Sequence, residues 1–186
     1  MPSSAKKRAP ALTGKDWLDA GQRLLRTSGA RALGLRALSR ALGISTGSFY
    51  HHFESFDQYL AELADYYHLS QLQSNLATVR EGAGDPREKL VMSARMAMER
   101  GWDRTSMAMR DWGKTYPAAA AAVRATDGAL AEFFAQCFLD MGLSARQAAL
   151  RSHILLAMGS SPVRPQHDVG PPDFAINALM DMLSRP

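Results

Sequence analysis

The stretch Gly43-Ile44-Ser45-Thr46-Gly47-Ser48-Phe49-Tyr50-His51-His52-Phe53 decides how this chain folds. It reads as a tight turn at Gly43 feeding a short helix, with Ser45 placed to cap it and Phe49 and Phe53, at i and i+4, turned inward. So short a helix cannot bury a full apolar stripe of its own and must be held by its neighbours. Its outer side then offers Thr46, Ser48, Tyr50 and His51. Hydroxyl, phenol and imidazole groups in that pattern suit the phosphate oxygens and base edges of double-stranded DNA.

The neighbours can be read on the upstream side. Gly34 can start a helix with Leu35, Leu38 and Leu42 on its inner face and Gly43 as its stop. Before it, Thr13 and Asp16 form a capping box that opens a helix with Trp17, Leu18, Gly21, Leu24 and Leu25 in one stripe, ending near Gly29. Three helices with a glycine turn between the second and third make a helix-turn-helix, whose second member enters the major groove by its N-terminal end. The first-turn amides of that member favour phosphate. Arg36 and Arg40 lie one turn apart on the helix before it, where they either clamp the DNA backbone or form a solvated face.

Charge follows the same division. Residues 1–53 hold 9 basic and 2 acidic side chains, and the rest of the chain holds 13 and 16, within a net charge of +4. A basic head on a slightly acidic body is what phosphate binding requires. The 186 residues, 46% of them hydrophobic, suffice for one or two small domains with a core. No apolar run approaches membrane-spanning length, and Lys6, Lys7 and Arg8 are not followed by a secretory apolar segment, so a cytoplasmic location is expected. Cys137 is the single cysteine, which excludes an intrachain disulfide and reads as a small core residue. His51 and His52 are adjacent, diverge by about 100° on a helix, and make a poor metal pair. No nucleophile–base pair, phosphate-binding glycine loop or metal-ligand spacing is evident, so neither an enzyme nor a bound cofactor is expected.

From Thr13 to about Tyr66 the chain resembles the DNA-binding head of the tetracycline-repressor (TetR) family. The resemblance rests on Arg36-Ala37-Leu38-Ser39-Arg40-Ala41-Leu42-Gly43-Ile44-Ser45 and, above all, on Gly47-Ser48-Phe49-Tyr50-His51-His52-Phe53. It implies a backbone contact for Tyr50 and base or backbone contacts for Thr46, Ser48 and His51. The candidate DNA-binding set is therefore Arg36, Arg40, Ser45, Thr46, Gly47, Ser48, Tyr50 and His51. Some positions depart from the family pattern. Leu33 and Gly34 stand where a Thr or Ser often starts the second helix, Thr46 where Lys is frequent, and Phe56 in a stretch where a phosphate-binding Lys is common. Fewer cations imply a shallower salt dependence, the slope scaling with roughly 0.9 per phosphate neutralised. The arm at Lys6 to Arg8 could reach the minor groove or remain a free tail.

Beyond the head, the expected fold is all-α: a three-helix head joined by a long helix to a helical body. Residues 1–12 are read as a flexible basic arm, 13–60 as the DNA-binding domain and 61–186 as the ligand-binding and dimerisation domain. Ser55-Phe56-Asp57-Gln58 caps a fourth helix running through Leu60, Leu63 and Tyr67 toward Leu76, with Gly82 and Gly84 ending that segment. Asp85-Pro86-Arg87-Glu88 opens the next. Body helices are expected near 86–101, 104–115, 117–141, 144–159 and 172–184, with a loop over 160–171.

The resemblance also implies a homodimer formed by the last two helices, because one short helix reads too few base pairs and a two-fold pair reads a palindromic operator. Leu150, Ile154, Leu155 and Met158, with Ala175, Leu179, Met182 and Leu183, supply apolar stripes that suit such an interface or the chain's own core. Met92, Met96, Met107, Arg110, Asp111, Trp112, Phe133 and Phe134 are candidates to line a pocket for a small apolar or aromatic effector that releases the protein from DNA. They serve equally as packing, and the Arg110-Asp111 charges as a structural ion pair. A body packed solid would instead make the chain an effector-independent DNA-binding or protein-interaction adaptor.

Overall fold

A computed structural model describes residues 12–161 and 170–185. The expected contacts of Lys6, Lys7 and Arg8, and most of the loop expected over 160–171, lie outside the described residues. The elements run α1 Gly14–Ser28, α2 Leu35–Leu42, α3 Phe56–Tyr66, α4 Gln73–Gly82, α5 Pro86–Glu99, α6 Trp102–Gly113, α7 Pro117–Asp140, α8 Ala145–Gly159 and α9 Pro172–Ser184, with no strand among the described residues. The all-α expectation holds. Two body helices differ at their ends, since α5 stops at Glu99 and α6 already begins at Trp102, after Gly101 in the left-handed conformation.

The caps explain where the helices start. Thr13 accepts from the Asp16 amide while the Asp16 carboxylate accepts the Thr13 N–H at 2.7 Å, and Ser144 and Gln147 repeat this reciprocal box on α8. Asp85 takes the Arg87 amide ahead of Pro86 at the first position of α5. Ser55 caps α3 through the Gln58 amide, but the Gln58 side chain reaches back one residue further, to the Glu54 N–H at 2.7 Å.

The fourth helix of the sequence reading is a rod in three parts. α3 passes into a π-helical stretch, Tyr67–Leu72, and then into α4, with helical backbone at both joins. The wider π turn absorbs additional residues without breaking the rod. It stands where the rod leaves the head.

Two cores form. The first joins Trp17, Leu25, Leu38, Phe49 and Tyr59 of the head to Met109, Trp112, Ala119, Ala122 and Val123 of α6 and α7. The second lies within the body around Leu76, Leu90, Phe133, Phe138, Ile176 and Met180. Trp102 packs against both, and its ring stacks on Tyr67 at 4.9 Å. The domain boundary drawn at residue 60 therefore falls inside α3, and the core of the head continues into α6 and α7. Cys137 is buried in the second core, where burial pushes its thiol up to about 11.

Candidate nucleic-acid interface and body cavity

The turn before the recognition segment is set by Gly43 at φ 70° and ψ 29°. Its N–H donates to the Arg40 carbonyl and the Ile44 N–H to the Ser39 carbonyl, the paired bonds of a Schellman stop. A side chain at this φ would be strained. The chain therefore leaves α2 sharply, and the segment that follows is fixed in direction.

That segment, Thr46–His51, is a 3-10 helix rather than an α-helix. Ser45 occupies its cap position, but no side-chain capping bond forms there, which corrects the expected role of Ser45. The segment is held by rings. Phe49 is fully buried, with Trp17 at 5.2 Å and Tyr59 at 5.4 Å edge-on and Phe53 at 5.1 Å. Such aromatic contacts add about 0.5–1.5 kcal/mol per pair beyond the area they bury. Tyr59 closes the cluster by donating its hydroxyl to the Trp17 carbonyl at 2.9 Å, and burial raises its phenol.

With Phe49 anchored, the opposite side faces outward. Tyr50 is 59% exposed, its ring edge-on to Phe49 at 5.3 Å, and Ser45, Thr46, Gly47 and His51 are exposed while Ser48 is half-buried. Arg36 and Arg40 are exposed on α2 and lie on its outer side, away from buried Leu38. All eight candidate DNA-binding residues thus belong to one continuous stretch of the head. Within the described residues the side chains of Arg36, Arg40, Thr46, Tyr50 and His51 have no hydrogen-bond or ion-pair partner, which leaves their donors available to an incoming phosphate or base. Gly34 starts α2 without a side-chain cap, and Phe56 stacks on Tyr59 at 5.7 Å, so neither position adds a cation or hydroxyl. His51 and His52 are both exposed, and no group of metal-ligating side chains occurs among the described residues.

The body contains a cavity of about 420 Å³ between α4, α5, α6, α7, α8 and α9. Of the eight pocket candidates, Met96 and Phe134 line it. The other six lie elsewhere. Trp112 stacks on Tyr116 at 4.8 Å in the first core, Phe133 is buried beneath the Arg80 guanidinium, and Met92 packs against Gly82. Met107 is half-buried outside the lining. Arg110 and Asp111 diverge: Asp111 meets Lys114 on the surface at 3.0 Å, whereas Arg110 grips Asp127 through both terminal nitrogens at 2.8 and 2.5 Å and donates to Ser160 Oγ at 2.8 Å.

The sequence reading missed Tyr67, Trp102 and Asp127, which line the cavity with Ser106 and Ser160. Tyr67 is almost fully buried, and burial pushes its phenol up to about 12 while a hydrogen bond with Ser106 acts in the opposite sense. Spacing gave no warning of Asp127, because its partner is 17 residues away.

Residues 18–63 match the model of the bacterial regulatory proteins of the tetR family. Among solved structures, the whole chain is similar to a transcriptional regulator from Rhodococcus sp. Rha1, at 21% identity over 92% of this chain and 94% of that one with a TM-score of 0.70. A tetR-family regulator from Rhodococcus sp. follows at 15% identity, 92% and 98% coverage and 0.67. A protein described as superantigen PfiT shares the fold at 18% identity, 94% and 97% coverage and 0.66. No curated protein matches the chain. At these identities the likeness to solved structures fixes the fold, and the match over 18–63 assigns the head.

Proposed function

We propose that this chain, a DNA-binding transcriptional regulator by its tetR-family head, acts as a homodimeric repressor released from a palindromic operator by a small apolar or aromatic molecule held in its body. The observation that carries the reading is the head itself: the buried Phe49 fixes a short helical segment whose Thr46, Tyr50 and His51 are exposed beside Arg36 and Arg40. Phosphate contacts from the arginines and Tyr50 position the head, and Thr46, Ser48 and His51 reach base edges or nearby phosphates.

Dimerisation is supported by α8 and α9. Leu150 at 62% exposed, Met158, Phe174 and Met182 are large apolar side chains facing outward, while Leu155 and Leu183 of the same helices are buried in the chain's own core. The two expected apolar stripes thus divide between an inner and an outer face. An outer face of this kind on two adjacent helices suits a two-fold four-helix contact.

The cavity of about 420 Å³ favours an effector over a solidly packed body and lies in the range that takes small organic molecules. Its wall includes Tyr67 at the exit of the rod from the head and Trp102, which also touches the core of the head. A ligand that prefers one placement of these rings biases the angle between head and body by its difference in affinity for the two states. The test is a mobility-shift assay on the upstream region of the gene, with and without candidate effectors. Binding that an effector weakens supports the reading, and absence of binding to that region overturns it.

A further inference from the structure

We infer that Gly47 and Tyr50 form a slot that seats the sugar–phosphate backbone of one DNA strand, and that position 47 lacks a side chain because the DNA, not the fold, requires the space. This rests on the reading of the head as the DNA-binding surface.

Most glycines of the head are explained by the protein itself. Gly29 and Gly43 stand at positive φ, Gly21 lies against the Tyr59 hydroxyl, and Gly34 starts α2 from outside it. Gly47 has none of these reasons. It lies inside the Thr46–His51 segment, its φ is not positive, and a Cβ there would meet Ser45 Oγ alone among the described residues, at an ordinary 3.9 Å. Glycine within a helical segment is less stable than alanine, so position 47 trades stability for an exposed patch of bare backbone.

The winding of the segment decides what borders that patch. Side chains at i and i+3 eclipse in a 3-10 helix, so Tyr50 stands directly one turn beyond Gly47, whereas α-helical winding would set the two about 60° apart. The Tyr50 ring is exposed and steadied edge-on by the buried Phe49. The ring is a wall and the Gly47 backbone a floor. Such surfaces pack against a deoxyribose and carry no side-chain pattern of donors and acceptors with which to read a base edge. Hydroxyls stand at both ends: Ser45, which makes no capping bond, beside Gly47, and the phenol of Tyr50. A DNA strand presents each sugar between two phosphates, an order that hydroxyl donors flanking an apolar floor match. The cations for neighbouring phosphates, Arg36 and Arg40, are exposed on α2. Gly47 and Tyr50 are therefore positioning residues, which set how closely the segment approaches the strand.

The test uses the full chain, the duplex that it selects from a random pool, and the single-base-pair variants of that duplex, titrated by fluorescence anisotropy at several potassium chloride concentrations. Gly47→Ala is expected to raise the thermal midpoint by about 1–4 °C. Gly128→Ala, in α7 with open space around it, serves as the control and should do the same without changing DNA binding. Gly47→Ala should weaken the selected duplex at least about tenfold, and every variant duplex by the same factor within about threefold. Its salt slope should change by less than the roughly 0.9 of one phosphate, because no cation is lost. In a Tyr50→Ala chain the same substitution should cost less than about threefold, since one wall of the slot is already gone. Unchanged binding by Gly47→Ala overturns the slot, as does a lowered thermal midpoint, which makes the glycine a requirement of the fold. Discrimination relaxed at one base pair overturns the backbone assignment in favour of a base contact, and fully additive losses for Gly47→Ala and Tyr50→Ala overturn the shared slot. A wild-type chain that selects no duplex overturns the reading of the head itself.

Discussion

Gly21 lies beneath the Tyr59 ring, and a Cβ there would fall 2.1 Å from the Tyr59 hydroxyl and 2.9 Å from a Leu63 methyl. Gly21→Ala must therefore displace the ring that closes the aromatic cluster and break its bond to Trp17. Urea unfolding should show a loss of about 1–3 kcal/mol, with weaker DNA binding as the recognition segment loosens. Tyr50 is the converse case, because its hydroxyl serves nothing within the described residues. Tyr50→Ala should lower operator affinity about tenfold with little change in the thermal midpoint. Arg40→Ala should flatten the salt dependence by roughly 0.9 in log–log slope, measured by titration at several ionic strengths. At alkaline pH the sign follows from Tyr67, whose phenol is raised from 10.0 to about 12. The folded chain then holds a proton that the unfolded chain has released, so stability is full below pH 10 and falls between about 10 and 12. Tyr67→Phe should soften that fall in denaturant titrations across the window.

At the scale of elements, the helices with strong punctuation were legible in the sequence and the irregular ones were not. Thr13 with Asp16, Asp85 with Pro86, and Ser144 with Gln147 each place a capping side chain ahead of an apolar periodicity, and those helices begin where expected. The π stretch at Tyr67–Leu72 has no such mark, because its backbone stays helical and only its hydrogen-bond register changes. The 3-10 character of Thr46–His51 was hidden for a different reason: Phe49 and Phe53 fit an α-helical spacing, and the packing of five aromatic rings decided the tighter winding. The outward side of the head was readable because it follows from which residues Phe49 must leave exposed. The cavity wall was not readable, since Met and Phe fill cores and line pockets alike, and Arg110 found Asp127 on another helix rather than its neighbour Asp111. Thr13→Ala removes the hydroxyl half of the box on α1, leaving the Thr13 N–H bonded to the Asp16 carboxylate, and should cost about 1 kcal/mol in thermal or urea unfolding.

For the whole molecule, the outer face of α8 and α9 makes assembly testable without knowledge of the operator. Phe174→Glu with Met182→Glu places charge where two exposed apolar side chains stand and should shift sedimentation from dimer to monomer while the helical content is kept. Operator affinity should fall with it by at least about tenfold if, as proposed, two heads read a palindrome and each alone reads one half-site. The first core carries a separate lesson for engineering. Trp112, Ala119 and Val123 share it with Trp17, Leu38 and Phe49, so the seam between head and body is an interior rather than a tether. A chimera that grafts this head onto a foreign body by cutting in the rod would strip one wall from that interior. To retain a working head, the graft must import the matching faces of α6 and α7, and portability in this architecture is therefore set by side-chain fit across a seam that sequence alignment of the heads alone does not reveal.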